Sequence, residues 1–107
     1  MDGRAVTCGP SNISVTQRET GRVVEGDVEF EVTITNTCSC SQSNVIVSCS
    51  GFSTVETLDP NKFKKLNDQV RCLVNNGQPI QPSASIIFTY AWHTPFNLPP
   101  LSSNGSC

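Results

Sequence analysis

Cysteine is the residue type most able to do chemistry in this chain, because six cysteines occur among 107 residues. They are Cys8, Cys38, Cys40, Cys49, Cys72 and Cys107. An even number in a short chain is typical of a disulfide framework formed in an oxidising compartment. Structural zinc sites need thiolates two to four residues apart, whereas a single residue separates Cys38 from Cys40. We therefore predict disulfides, and neither a metal nor a cofactor. Fifteen pairings of six cysteines are possible, and the sequence does not choose among them.

Acidic residues alternate along one stretch, at Glu25, Asp27, Glu29 and Glu31. On a strand they share one face, which predicts a solvated outer face or a guarded sheet edge. A docking face for a basic partner and a calcium site are the alternatives. Glycoside hydrolysis needs one acid with a raised pKa in an apolar pocket, and four exposed acids offer no such asymmetry. The single histidine, His93, has no evident nucleophile or orienting acid. We expect no enzymatic activity.

Basic residues concentrate in one ten-residue stretch, which holds Lys62, Lys64, Lys65 and Arg71. A solvated helix face is the plain explanation. Exposed lysine and arginine side chains also steer protein–protein docking, so a receptor contact is the alternative. The candidate contact residues are Lys64, Lys65, Arg71 and a loop that runs to position 81 and begins with Asn75, Asn76, Gly77 and Gln78.

Large apolar side chains alternate along a late segment, at Ile86, Phe88, Tyr90 and Trp92. Core packing is expected, because large aromatic side chains bury the most area. The alternative is an exposed platform of Tyr90 and Trp92 that stacks sugar rings. That arrangement would make the protein a carbohydrate-binding module of the cell wall.

These residues are predicted to be positioned by short strands, because alternation with period two dominates the chain. Strands are predicted over residues 13–17, 24–34, 44–50, 52–57, 70–74 and 84–92. Asp59 and Pro60 suit the first turn of a short helix over 62–66, and Asn75-Asn76-Gly77 is a strong turn signal. The prolines leave the tail irregular. Residues 1–107 are predicted to form a single, mainly β domain. Its fold is a disulfide-stapled antiparallel β-sandwich or small barrel with one short helix.

The net charge of −2 and the calculated pI of about 5.2 argue against nucleic acid or an anionic membrane as partner. No apolar run approaches the roughly 18 residues of a membrane span, so no membrane insertion is expected. The first residues lack the apolar region of a signal peptide, and we interpret Met1 as a start placed before a mature domain. Asn12 and Asn104 lie in N-glycosylation sequons, which suits a secreted protein.

The spacing of the cysteines, together with several sequence blocks, resembles the Tapetum Determinant family of small secreted plant proteins. The matching blocks are residues 32–38, 45–53, 59–60, 63–66, 72–80, 85–91 and 95–96, and a terminal cysteine follows. The block at 72–80, Cys-Leu-Val-Asn-Asn-Gly-Gln-Pro-Ile, is the most specific. Two departures predict a divergent member. Cys38 and Cys40 are closer than the family's usual pair, and Ser83 stands where many relatives have glycine.

The resemblance implies a secreted, apoplastic signalling ligand without catalysis. Its implied partner is the ectodomain of a leucine-rich-repeat receptor kinase, in plant cell-fate specification of the anther or tapetum type. A rigid, disulfide-held surface would present the contact residues, so that little ordering entropy is lost on binding.

Overall fold

Two antiparallel sheets make up the computed structural model, which describes residues 7–107. Its strands are β1 (Ile13–Val24), β2 (Asp27–Asn36), β3 (Ser41–Ser48), β4 (Phe63–Lys65), β5 (Arg71–Val74), β6 (Ser85–Trp92) and β7 (Pro100–Ser106). The first sheet has the order β1-β2-β6, and the second has the order β4-β5-β3-β7. The predicted antiparallel β-sandwich is therefore confirmed. The start of the chain at Met1 lies outside the described residues.

The core lies between the sheets and follows the predicted alternation. On β2, Val32 and Ile34 are fully buried, and β2 pairs with β6 so that Phe30 faces Tyr90 and Val32 faces Phe88. Phenylalanines from other segments surround Tyr90, whose ring centroid lies 5.1 Å from that of Phe52. The late aromatic face is therefore core, as expected.

One predicted strand, over residues 24–34, is wrong in its first residues. Val24 ends β1 and pairs with Asp27 at the start of β2. Between them, Glu25 and Gly26 both have positive φ angles, of 49° and 84°. A two-residue turn of this kind matches the twist of a hairpin, so the chain reverses here instead of continuing. The first strand is correspondingly longer than predicted.

The predicted helix over residues 62–66 is also wrong, although its initiation signal is real. The backbone N–H groups of Lys62 and Phe63 both donate to the Asp59 carbonyl oxygen, at 2.9 and 3.1 Å. The chain then extends, and Phe63 pairs with Val74 on β5. Pairing buries the Phe63 ring against Phe88, with a centroid distance of 4.3 Å. Tertiary packing of one aromatic side chain thus outweighs the local helix preference. The helical segments within the described chain are two 3-10 helices, Pro10–Asn12 and Asn75–Gly77.

Two further segments differ from expectation. Residues 52–57 form no strand, although Val55 donates its N–H to the Ala91 carbonyl oxygen at 3.0 Å. The proline-rich tail, predicted to be irregular, contains β7, which pairs with β3. The prolines do not prevent pairing because β7 is an edge strand, where a missing N–H is tolerated.

All six cysteines are paired, as Cys8–Cys38, Cys40–Cys107 and Cys49–Cys72. Cys38 and Cys40 thus have separate partners, Cys8 and Cys107. The first two disulfides lie together at the end of the molecule where β3 begins.

Two fully buried amides, Asn36 and Gln42, organise that end. Asn36 Nδ2 donates to the carbonyl oxygens of Cys40 and Ile80, both at 2.8 Å. Asn36 Oδ1 accepts from the Cys38 N–H and from Gln42 Nε2, both at 2.9 Å. We call these two amides with the disulfides Cys8–Cys38 and Cys40–Cys107 the amide–disulfide end.

Candidate binding site

The predicted basic contact residues lie on the β4–β5 hairpin. Phe63 points into the core, so alternation puts Lys64 on the outer face of the second sheet, opposite Leu73. Arg71 lies two residues before Leu73 on the same strand and shares that face. Lys65 follows at the end of β4, where its side chain is exposed. We call this strand pair and its turn the basic hairpin.

An open cleft of about 520 Å³ lies at the turn of the basic hairpin. Its lining is Lys64, Lys65, Leu66, Asn67, Asp68 and Arg71. The turn is closed by the Leu66 N–H, which donates to the Arg71 carbonyl oxygen at 2.8 Å. All three cations singled out from the sequence therefore meet in one concave surface.

Asp68 orients Arg71, one of the three cations of the cleft. Asp68 Oδ2 accepts a hydrogen bond from Arg71 Nε, while Asp68 Oδ1 accepts the N–H groups of Val70 and Arg71 at 3.1 and 3.0 Å. The hydrogen bond from Arg71, with the two backbone donors, lowers the pKa of the Asp68 carboxyl. Because Nε is the bonded atom, the two terminal amino groups of Arg71 remain available for a bidentate contact with a carboxylate.

Neither lysine of the cleft is neutralised within residues 7–107, since no carboxylate of that range lies within 4.0 Å of Lys64 or Lys65. Asp68 offsets one of the three positive charges lining the cleft. The surface is therefore positive, and its chemistry fits an anionic partner group.

The predicted loop contacts lie at the other end of the same hairpin. Asn75, Asn76 and Gly77 have φ angles of 55°, 53° and 79°, which confirms the turn predicted from their residue types. The Asn75 N–H donates to the Lys62 carbonyl oxygen at 2.9 Å, which joins the loop to the start of β4. A Cβ atom on Gly77 would lie 3.0 Å from Asn44 Oδ1, so glycine lets the loop lie flat on β3. Gln78, also predicted, is exposed next to this turn.

The hairpin is held from beneath by a disulfide. Cys72 on β5 pairs in register with Val47 on β3, and its sulfur is bonded to Cys49 just beyond β3. Both cysteines are fully buried. The cleft therefore rests on a covalently fixed strand pair, although most of its lining side chains are exposed.

The proposed sugar platform lacks one of its two rings. Tyr90 is fully buried, and its hydroxyl donates to Gln17 Oε1 at 2.6 Å and accepts the Phe96 N–H at 2.9 Å. Trp92 is half-buried and packs against the core. A ring must expose its face to stack on a sugar, so Tyr90 cannot serve in this conformation.

The predicted acidic face needs a correction at Glu29, which is only 5% exposed. Thr20 Oγ1 donates to Glu29 Oε1 at 2.8 Å, and the neighbouring carboxyl of Glu56 lowers the pKa of Glu29. Sequence reasoning missed Glu56, because nothing near position 56 points to position 29. The four acids are therefore not equivalent, contrary to the argument made from their spacing.

The remaining predicted sites are placed as follows. Asn104 is exposed on β7, whereas Asn12 is half-buried and its Oδ1 accepts the Gly9 N–H at 3.3 Å. Ser83 has a φ angle of 66°, so the turn after Pro82 keeps a backbone conformation that favours glycine.

The sulfurs of Cys8, Cys38 and Cys40 lie within 4.8 Å of one another, but all are in disulfides, whereas metals bind thiolates.

The fold and this surface define a small, disulfide-crosslinked β-sandwich with a basic cleft on one hairpin. The model of the family "Tapetum determinant 1, C-terminal" matches residues 9–107, and the chain belongs to that family. Among residues 7–107, no helix has the length and apolar character needed to cross a membrane.

Curated plant proteins of similar sequence carry the same family name. "TPD1 protein homolog 1" of Arabidopsis thaliana is 35% identical over 102 residues, which cover 94% of this chain and 55% of that protein. "TPD1 protein homolog 1B" of Oryza sativa subsp. japonica is 31% identical over 104 residues, covering 94% and 59%. "TPD1 protein homolog 1A" of the same rice is 26% identical over 98 residues, covering 84% and 43%. The chain spans about half the length of these relatives. No solved structure matches it.

Proposed function

We propose that this protein is a secreted signalling ligand in plant cell-fate specification, of the anther or tapetum type, acting in the apoplast without catalysis. Its partner is the ectodomain of a leucine-rich-repeat receptor kinase. Family membership supports the developmental role, and three disulfides suit an extracellular protein. The observation that carries the binding proposal is the meeting of Lys64, Lys65 and Arg71 in one open cleft.

The mechanism is docking of a rigid surface. Disulfide Cys49–Cys72 fixes the strand beneath the cleft, so the cations need little ordering when the partner arrives. Arg71 is already oriented by Asp68, which leaves its terminal amino groups to grip a carboxylate of the receptor. Lys64 and Lys65 add the long-range attraction that accelerates encounter.

Biolayer interferometry with leucine-rich-repeat ectodomains tests this proposal. We expect the oxidised protein to bind one ectodomain at about micromolar affinity or better, and a reduced and alkylated sample to lose binding. The substitutions Lys64→Glu and Lys65→Glu are each expected to weaken binding by about tenfold or more.

The matched control is Lys62→Glu, which changes the net charge by the same amount at an exposed lysine outside the cleft. Binding within about twofold of wild type is expected for this control. Equal losses for Lys62→Glu and Lys64→Glu would mean that only bulk charge matters. If the folded protein binds no ectodomain, the proposal is overturned. Trp92 fluorescence that shifts on adding wall oligosaccharides would then support the carbohydrate-binding alternative.

A further inference from the structure

Two carboxyl groups meet on the outer face of the first sheet. Glu29 alternates with the core residues of β2 and therefore points away from the core, yet it is only 5% exposed. Glu29 pairs with Ala91 on β6, and Ala91 bonds on its other side to the segment that leads to Glu56. The Glu56 carboxyl is near enough to Glu29 for each acid to shift the pKa of the other. Neither acid takes part in the binding proposed above.

Glu56 is brought there by a short segment that runs along a free sheet edge. Strand β6 is one of the two edge strands of the first sheet, and Thr54 and Val55 hydrogen-bond to it. The Val55 N–H donates to the Ala91 carbonyl oxygen, and the Ala91 N–H donates to Thr54 Oγ1, both at 3.0 Å. Thr54 Oγ1 also accepts the Glu56 N–H at 3.1 Å. We call residues 53–56 the edge segment.

The contact between the acids requires a proton. Glu56 Oε1 is buried, and no donor of the described residues reaches it. An ionised carboxylate only accepts hydrogen bonds, so two ionised groups in contact would repel each other and leave this oxygen unsatisfied. With one proton between them, Glu56 donates to Glu29 and both groups are satisfied.

The surrounding groups decide which acid keeps the proton. Burial, and then Glu29, raise the pKa of Glu56, whereas the hydrogen bonds from Glu56 and Thr20 lower the pKa of Glu29. Arg22 on β1 is the charged group facing both, and it favours ionisation of each. From β6 the hydroxyl of Thr89 faces Glu56, and its hydrogen bond lowers the Glu56 pKa by less than burial and Glu29 raise it.

We propose that Glu29 and Glu56 share one proton, that this proton holds the edge segment on the first sheet, and that its loss in less acidic surroundings releases the segment. The pair therefore acts as a proton-dependent latch. When the edge segment is released, Glu29 becomes more exposed. The backbone N–H and carbonyl groups of Ala91, at the outer edge of β6, then lose their hydrogen bonds to the segment.

The direction of the pH dependence follows from the two pKa shifts. Stabilisation that depends on protonated Glu56 is complete below its ordinary pKa of 4.5 and is lost as pH rises through the raised value. Stabilisation that depends on ionised Glu29 is present above 4.5 and is lost as pH falls through the lowered value. The edge segment is therefore docked most tightly at mildly acidic pH, between the lowered pKa of Glu29 and the raised pKa of Glu56.

Amide hydrogen exchange of the oxidised protein, followed by NMR from about pH 5 to about pH 8, tests the latch. The Val55 amide reports docking, and the Cys49 amide, bonded to the Val70 carbonyl oxygen at 2.9 Å, is the internal reference. After correction for intrinsic rates, protection of Val55 relative to Cys49 is expected to fall by about threefold or more. In Glu56→Gln the ratio stays constant over this range, because the amide donates to an ionised Glu29 throughout it.

Glu31→Gln is the control, since it removes an acid of the same strand that pairs with Arg18 instead. It is expected to follow the wild-type profile. A constant ratio in the wild type, or a pH dependence that persists in Glu56→Gln, would overturn the proposal. Recovery of protection at high pH on adding millimolar calcium, seen in wild type and absent from Glu56→Gln, would assign the pair to an ion instead of a proton.

Discussion

The amide–disulfide end and the basic hairpin differ in whether their polar side chains are buried and bonded or open to solvent. At the first, Asn36 and Gln42 are fully buried and bonded to each other, and two disulfides fix the chain around them. At the second, Lys64, Lys65 and Arg71 line an open cleft to which a single acid contributes. The two regions adjoin opposite ends of β3, which spans about 23 Å at roughly 3.3 Å per residue. Polar groups that are buried and satisfied build the fold, whereas the exposed charges of the cleft are the groups that we propose contact a partner.

The largest expected effect comes from removing the one disulfide that lies beneath the basic hairpin. Replacing Cys49 and Cys72 by alanine releases a crosslink over a sequence separation of 23, which is worth about 3 kcal/mol of chain entropy. The two sulfurs also lose their burial, so we expect the free energy of unfolding to fall by about 4 kcal/mol in total. Denaturant unfolding measures this loss, and receptor binding by the folded fraction is expected to weaken as well. Undiminished binding would show that the cleft does not depend on its covalent support.

A smaller effect is expected from Asn36→Ala at the amide–disulfide end. The substitution strands the Cys38 N–H and the Cys40 carbonyl oxygen in a buried place, at a cost of about 3 kcal/mol in the free energy of unfolding. Unfolding with all disulfides intact measures it. Receptor binding at a temperature where the variant is folded should match the wild type. A binding defect there would mean that the two regions are coupled along β3.

The smallest effect on stability is expected from the double charge reversal Lys64→Glu with Lys65→Glu. Neither side chain is buried, so the free energy of unfolding should change by less than about 0.5 kcal/mol, although binding is largely lost. Denaturant midpoints compared with those of the wild type test this expectation. A destabilisation above about 1 kcal/mol would place these lysines among the residues that build the fold.

The parts of the fold predicted from sequence depend on local alternation. Val32, Ile34 and Phe88 face the core because every second residue of a strand must, and the consecutive asparagines and glycine gave the turn after β5. The grouping of Lys64, Lys65 and Arg71 could also be predicted, because these residues are close together in the sequence. The concave shape of the cleft depends on the turn between β4 and β5 and was not predictable.

The errors share one physical cause, which is contact between distant segments. Asp59 does accept the first hydrogen bonds of a helical turn, but Phe63 gains more by pairing with Val74 and packing on Phe88. Glu29 belongs to an alternating acidic stretch, yet it is only 5% exposed and its pKa is lowered by the distant Glu56. No local pattern contains either contact.

The closeness of three sulfurs has a consequence for how the protein acquires its bridges. Cys8, Cys38 and Cys40 have their sulfurs within 4.8 Å of one another, so a thiolate of one can attack a bridge formed by the others. While Cys40 is still reduced, attack by its thiolate on the Cys8–Cys38 bridge gives a swapped Cys8–Cys40 bridge and releases the Cys38 thiolate. Asn36 hydrogen-bonds to the backbone of both Cys38 and Cys40, and these bonds stabilise the arrangement in which the two cysteines have their native partners. We therefore expect thiol–disulfide exchange to be needed during oxidation until the Asn36 bonds hold the native pairing in place.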